Sequence, residues 1–140
     1  MKQLIMIHFM VFEKAKNPVD YFRELFKALN PISYKIICMR NIDQKEWKKC
    51  EIDCPSDHLK DLMVSNANLL KKYVNKYGAI SKSKFGIVAS HCAWLIVQHA
   101  DHDIEFQRKY LKLMHQNPKD FRKENIKMLT RRFQNKGIEI

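Results

Sequence analysis

The chain has 140 residues, 46% of them hydrophobic, and a formal net charge of +11 at pH 7. This length suits one domain with a sizeable core, and the apolar share excludes a globally disordered chain. Only three glycines and four prolines interrupt it, which favours long helices. The charge favours an anionic partner such as nucleic acid, anionic lipid or an acidic protein.

The N-terminal segment, M-K-Q-L-I-M-I-H-F-M-V-F, is mostly apolar and contains one lysine. About nine apolar residues are too few to span a bilayer, which takes roughly 20. No small-x-small cleavage pattern follows the segment, so it does not resemble a signal peptide. We therefore predict a packed helix or strand in a soluble, cytoplasmic protein with no transmembrane segment.

Asn17-Pro18 predicts the start of a helix, because Asn caps the first turn and Pro fits the first helical position. Asn30-Pro31 predicts its end. The apolar residues between them recur at helical spacing: Phe22, Leu25, Phe26 and Leu29.

Residues 32–39 are rich in β-branched and aromatic side chains and predict a short strand. Residues 40–56 are polar and predict an irregular connection with Trp47 against the core. Cys50-x3-Cys54-x3-His58 offers three ligand types that zinc accepts, but it lacks paired CxxC spacing and a fourth ligand. Free cysteines are the favoured interpretation, since four are too few for a disulfide scaffold of this length.

Ser56 or Asp57 is placed to cap the next helix, and Gly78 to end it in a left-handed conformation. A central helix is predicted from about 87 to 114, and Asn117-Pro118 predicts a final helix that runs to about Phe133. The expected fold is all-α: one domain over residues 1–140, a compact bundle of four to five helices around the buried central helix. Residues 57–137 form its helical core.

The polar stretch Q-H-A-D-H-D, residues 98–103, lies in this central helix, which is otherwise apolar nearly all round. Buried polar groups without partners cost several kcal/mol, so neighbouring side chains, water, a metal or a ligand must satisfy them. Gln98/Asp101/His102 and His99/His102/Asp103 both have i, i+3, i+4 spacing. The second set, His99, His102 and Asp103, has plausible ligands for a divalent metal such as zinc or for non-haem iron.

The C-terminal third is strongly basic. Ten Lys or Arg residues lie between Arg108 and Lys136, against Asp120 and Glu124 alone. A solvated helix face is the simpler interpretation, and a nucleic-acid surface is the alternative. His102-Asp103 resembles part of an HD-type phosphohydrolase site, but that pattern also needs an earlier His and a late Asp, and Asp120 follows too closely to serve. Arg108-x6-His115 resembles the pair of HEPN ribonucleases, a spacing that arises easily by chance.

One block of the sequence resembles a known family. The stretch F-G-I-V-A-S-H-C-A-W-L-I-V-Q-H-A-D-H-D-I-E-F-Q-R-K-Y-L-K-L-M (85–114) is similar to the core of a bacterial domain-of-unknown-function family numbered 6624. N-A-N-L-L-K-K-Y-V-N-K-Y-G (66–78) and N-I-K-M-L-T-R-R-F-Q-N-K-G (125–137) extend the resemblance over residues 57–137. The chain differs at Arg131-Arg132, where the family has Asp-Arg. The resemblance implies no reaction, only residues to watch: Gln98, His99, Asp101, His102 and Gln107.

The first functional hypothesis is a small enzyme of hydrolase or transferase type, with His99 or His102 as general base. Asp101 or Asp103 would orient the imidazole, and two glutamines would donate hydrogen bonds to a small-molecule substrate. The predicted catalytic residues are Gln98, His99, Asp101, His102 and Gln107.

The alternative hypothesis is a non-enzymatic binding module in which Q-H-A-D-H-D only supports the fold. Its basic C-terminal face would bind an anionic macromolecule such as nucleic acid. The residues predicted for that contact are Arg122, Lys123, Arg131 and Arg132.

Overall fold

The computed structural model describes residues 2–49 and 56–139, which form eight α-helices and one short 3-10 turn, with no strand in these ranges. The all-α class is therefore confirmed. The helices are α1 Lys2–Lys14, α2 Pro18–Leu29, α3 Pro31–Lys49, α4 Asp57–Tyr77, α5 Lys82–Phe85, α6 Ile87–Gln98, α7 Ile104–Gln116 and α8 Lys123–Asn135, with the 3-10 turn at Pro118–Asp120.

The strand predicted at residues 32–39 is wrong, because this segment belongs to α3. Its buried side chains include Ile36, Met39 and Asp43, which recur at helical and not at alternating spacing. Strand propensity is a weak preference that such packing overrides. The irregular connection predicted for 40–56 is wrong as far as Lys49, and Trp47 is 42% exposed. Cys50 and Cys54 of the candidate zinc motif lie outside the described residues.

The single central helix predicted at 87–114 is also wrong. α6 ends at Gln98 and α7 begins at Ile104, with a turn over residues 99–103. Asp103 has a non-helical backbone (φ −132°, ψ 73°), and its carboxylate accepts a hydrogen bond from the Phe106 N–H at 2.9 Å. Asp103 thus caps the start of α7 at a position where the apolar pattern alone predicts one continuous helix. This break, together with α1, α3 and the short α5, raises the number of helices above the four to five predicted.

Several predicted boundaries are confirmed. The Asn17 side chain accepts from the Asp20 N–H at 2.8 Å, and Ser56 caps α4 by accepting from the Leu59 N–H. Gly78 ends α4 with φ 79°, a conformation that glycine adopts at low cost. Asn117-Pro118, however, opens the 3-10 turn, and the final helix begins only at Lys123.

The chain divides into two compact units, residues 1–35 and 36–140. In the first, α1 and α2 pack as a helical hairpin joined by three residues. Phe12 of α1 meets Tyr21 of α2 edge to face, with 6.4 Å between ring centroids. The single domain over 1–140 stays a prediction.

In the second unit, α6 is the central element and contacts α4, α5, α7 and α8. Its side chains are buried on nearly every side, because almost all of them are small or apolar. The larger buried side chains of α4, α7 and α8 are Leu59, Leu70, Phe106, Tyr110, Leu111, Met114, Leu129 and Phe133. Within the described ranges, every helix is too short or too polar to cross a membrane.

Candidate functional site

The Gln107 side chain caps the C-terminal end of α6. Its side-chain Nε2 donates to the backbone carbonyls of Val97, at 2.9 Å, and of Gln98, at 3.3 Å. The last carbonyls of a helix have no partner within the helix, and when buried they need one from outside. Gln107 is 1% exposed, so its amide donor serves the backbone and is not free for a substrate. Gln98, which is partly buried, takes part through its carbonyl.

Asp101 ties the turn to α8. It accepts hydrogen bonds from the guanidinium of Arg132, through Nε at 3.1 Å and through a second, shorter contact. Lys136 Nζ adds a contact at 2.9 Å. Burial by itself raises the pKa of Asp101, but the hydrogen bonds from Lys136 and Arg132 outweigh it and lower the pKa below its usual value. Asp101 therefore remains a carboxylate at neutral pH.

Asp103 ties the same turn to α4. Lys71 Nζ donates to its carboxylate at 2.6 Å, while its other oxygen caps α7 at the Phe106 N–H. The Lys71 hydrogen bond lowers the pKa of Asp103, with a smaller contribution from the Phe106 N–H. Both aspartates of Q-H-A-D-H-D are thus bound to lysine or arginine side chains, and neither contacts an imidazole through a hydrogen bond in the described structure.

His99 is oriented by Asp43. Its Nδ1 lies 2.8 Å from Asp43 Oδ2, and the Asp43 side chain is 4% exposed against 23% for His99. The Trp47 ring stacks on the imidazole, with 5.9 Å between centroids and 20° between planes. A carboxylate only accepts hydrogen bonds, so in the neutral imidazole Nδ1 carries the proton and Nε2 the lone pair. Asp43 and Trp47 were not predicted as partners of His99, because residues 40–56 were predicted to be irregular and their i, i+4 spacing has meaning only on a helix.

The metal set predicted from the sequence does not come together. No three His, Cys, Asp or Glu side chains are placed to hold a metal ion in the part of the chain that the structure describes. The helix break removes the i, i+3, i+4 geometry on which that prediction depended. His99 is bonded to Asp43, Asp103 to Lys71, and His102 is exposed.

His91, on α6, lies in a different and electropositive environment. Its Nδ1 is 3.2 Å from Asn125 Nδ2, and its ring stacks on Trp94 at 5.3 Å. Burial lowers the pKa of His91, and the nearby charges of Arg122 and Arg40 lower it further. This imidazole is therefore neutral at pH 7, and Arg122 lies near it.

A groove with basic walls lies between the end of α7 and α8, with a volume of about 560 Å³. Lys123, Lys127 and Arg131 follow one face of α8 at i, i+4, i+8 spacing, about 6 Å apart along the helix axis. None of the three forms an ion pair with a carboxylate in the described ranges. This surface, called the basic groove below, is lined by His115, Pro118, Lys123, Ile126, Lys127, Thr130, Arg131 and Gln134.

The basic groove contains only part of the predicted basic set. Lys123 and Arg131 line it. Arg132 instead forms an ion pair with Asp101, and Arg122 lies near His91. Lys127 completes the stripe and was missed, although its spacing of four residues from Lys123 and Arg131 was the signal.

No family model, curated protein or solved structure matches the chain. The resemblance around residues 98–107 therefore stays a prediction, and function rests on the geometry.

Replacing Gln107 by Ala tests the cap at the end of α6. We expect Gln107→Ala to lower the free energy of unfolding by about 1–3 kcal/mol, because the Gln98 carbonyl loses this donor and the Val97 carbonyl keeps only the Ala100 N–H. Urea unfolding of the variant and the wild type gives this difference. Gln116→Ala, at an exposed position of the same helix, is the control and should change stability by less than about 0.5 kcal/mol. Equal effects of the two changes would contradict the capping role.

His91 should make stability depend on pH. Its folded-state pKa lies below the value of 6.5 for a free imidazole, so the unfolded chain takes up the proton first as pH falls. Stability is then lost from about pH 6.5 downward, through the folded pKa. We expect His91→Gln to reduce that loss, as measured by urea unfolding at several pH values. Gln116→Ala, at an exposed position and without loss of a titrating group, is the control and should keep the wild-type slope, and a wild-type slope in His91→Gln would refute the assignment.

Proposed function

We propose that the chain is a nucleic-acid-binding module whose contact surface is the basic groove. The observation that carries this proposal is the stripe of Lys123, Lys127 and Arg131, which has no acidic partner among the described side chains. Three cations on one helix face raise the local positive potential above that of a surface with mixed charges.

The contacts of the turn over residues 99–103 also favour the binding proposal over the enzyme hypothesis. Asp101, Asp103 and Gln107 are occupied by contacts to α8, α4 and α6 respectively. Their hydrogen-bonding capacity holds helices together, which is the role that the binding hypothesis gives them. The enzyme hypothesis needs at least some of these groups to face a substrate.

The composition of the basic groove favours contact with phosphates over contact with bases. Its described lining residues include Thr130 and Gln134 as hydrogen-bonding groups and no Phe, Tyr or Trp on which a base would stack. Lysine and arginine contacts to phosphate release counterions and carry no sequence information. We therefore infer binding that is sensitive to salt and largely independent of sequence.

The groove is tested by reversing two of its charges. We expect Lys127→Glu/Arg131→Glu to weaken binding of a labelled single strand of about 20 nucleotides at least tenfold, measured by fluorescence anisotropy. The magnitude of the slope of log affinity against log salt should fall by about 1.4, since two phosphate contacts are lost and each contributes about 0.7 on a single strand.

Lys72→Glu/Lys84→Glu is the control, because it makes the same change in net charge at exposed positions outside the groove. It should keep the wild-type salt slope. Equal losses in the two double variants would show that overall charge, not the groove, binds nucleic acid.

A second candidate function, general acid–base catalysis, is favoured by one observation, the pairing of His99 with Asp43. A buried carboxylate that fixes Nδ1 leaves Nε2 as a base on a partly exposed imidazole. Asp43 Oδ1 and, one turn earlier on α3, Arg40 Nε are buried and have no hydrogen-bond partner among the described residues. Unsatisfied buried polar atoms often mark a functional site or an ordered water. In this proposal Asp43, and not Asp101 or Asp103, is the positioning residue.

Hydrolysis of p-nitrophenyl acetate and of bis(p-nitrophenyl) phosphate tests this candidate. If His99 is the general base, His99→Gln lowers kcat about 100-fold or more, in line with the usual contribution of such a group, while circular dichroism shows that the variant is folded. Asp43→Asn lowers kcat with little change in KM. The control His102→Gln retains activity. Hydrolysis that persists in His99→Gln would exclude this base.

A further inference from the structure

The hairpin of α1 and α2 exposes many large apolar side chains. Phe12 is 72% exposed, Val19 77% and Phe22 67%. Isolated apolar residues on a surface are ordinary, but a group this dense marks a contact surface. The exposed large apolar residues of the hairpin are Ile5, Met6, Met10, Phe12, Val19, Phe22, Phe26 and Leu29.

α2 separates its apolar and polar residues sharply, and none of its side chains is buried. At about 100° per residue, Val19, Phe26 and Leu29 lie within about 60° of Phe22 on the helix circumference. This apolar face is wider than a narrow seam for one partner helix, since Leu25 and Tyr21 extend it on one side and α1 adds further exposed apolar residues.

The charges of α2 are arranged around that face. By the same count, Arg23 and Lys27 lie about 100° and 140° from Phe22, at one border of the apolar face, while Asp20 and Glu24 lie nearly opposite to it. Arg23 contacts Asp20, and Lys27 contacts Glu24 at 3.7 Å. Long basic side chains at such a border can bury their methylene groups while the charged ends reach anionic groups above.

The turn of the hairpin adds an apolar groove of about 550 Å³ lined by Phe12, Ala15, Lys16, Asn17, Pro18 and Tyr21. Lys14 ends α1 beside this groove, and Lys16 lies in its wall. Neither lysine forms an ion pair with a carboxylate in the described ranges. The hairpin therefore presents apolar surface and unpaired positive charge together.

The exposed apolar face of the hairpin could be covered by a second copy of the chain or by a lipid surface, and the net charge favours the lipid surface. Residues 1–35 contain six Lys or Arg and three Asp or Glu, a net charge of +3, and the whole chain carries +11. Two such copies repel each other, whereas an anionic bilayer attracts both. We propose that the α1–α2 hairpin docks on the surface of an anionic lipid bilayer, with its apolar face among the acyl chains and its lysines and arginines at the headgroups.

Co-sedimentation of the full chain with vesicles tests this anchor. One vesicle type contains phosphatidylcholine with about 30% phosphatidylserine, and the other phosphatidylcholine alone. We expect at least tenfold stronger binding to the anionic vesicles. Val19→Ser/Phe22→Ser should lose at least tenfold of that binding, while circular dichroism shows an unchanged helix content because both residues are exposed. Met128→Ser, 51% exposed on α8, is the matched control and should bind as the wild type does.

The groove variant Lys127→Glu/Arg131→Glu separates this proposal from the basic groove. It should keep vesicle binding within about twofold, since the proposal depends on the hairpin and not on the groove. Three results would overturn the anchor. The wild type fails to sediment with anionic vesicles, or the groove variant loses binding while the hairpin variant keeps it, or light scattering shows a dimer that Val19→Ser/Phe22→Ser dissociates.

Discussion

The buried carbonyl groups at the end of α6 are the constraint on which the second unit depends. α6 is apolar on nearly every side and packs against other helices, so the carbonyl groups at its C-terminal end need donors from neighbouring groups. The Gln107 side chain donates from α7 to the carbonyls of Val97 and Gln98, and the Ala100 N–H also donates to Val97. Gln107 reaches back only because the chain reverses over residues 99–103, so the turn and the cap require each other. This explains why so many hydrogen-bonding side chains follow directly on the most apolar segment.

The two aspartates of the turn then fix the helices around it. Asp103 starts α7 and contacts Lys71 of α4, while Asp101 contacts Arg132 of α8 and Lys136, which follows that helix. Partly exposed ion pairs of this kind contribute little energy one at a time. Their value here is geometric, because they fix where α4 and α8 lie against the turn. The inner face of α8 is thereby committed to the fold, and its opposite basic stripe is left for solvent or a ligand.

Sequence signals from neighbouring residues were sufficient to predict the all-α class and several helix boundaries. They were not sufficient to predict the contacts of the candidate site. Asn17, Ser56 and Gly78 act on their own backbone neighbours, so each could be recognised from adjacent residues alone. The break in the central helix is also local, but Asp103 as a cap was hidden by the apolar periodicity on both sides. The pairing of His99 with Asp43 spans 56 positions. No spacing rule reaches that far without knowing that α3 is a helix.

The small number of acidic residues connects the packing of the helices with the positive charge of the protein surface. Against 26 Lys and Arg residues the chain has 15 Asp and Glu, and several of those acids are engaged where elements meet. Asp101 and Asp103 bind basic side chains of other helices, Asp43 holds His99, and Asp120 binds Ser83 at the start of α5. Acids used in this way cannot also neutralise the outer cations of α8. The unpaired positive charge of the basic groove is therefore a consequence of how the interior is held together, and it is present before any ligand arrives.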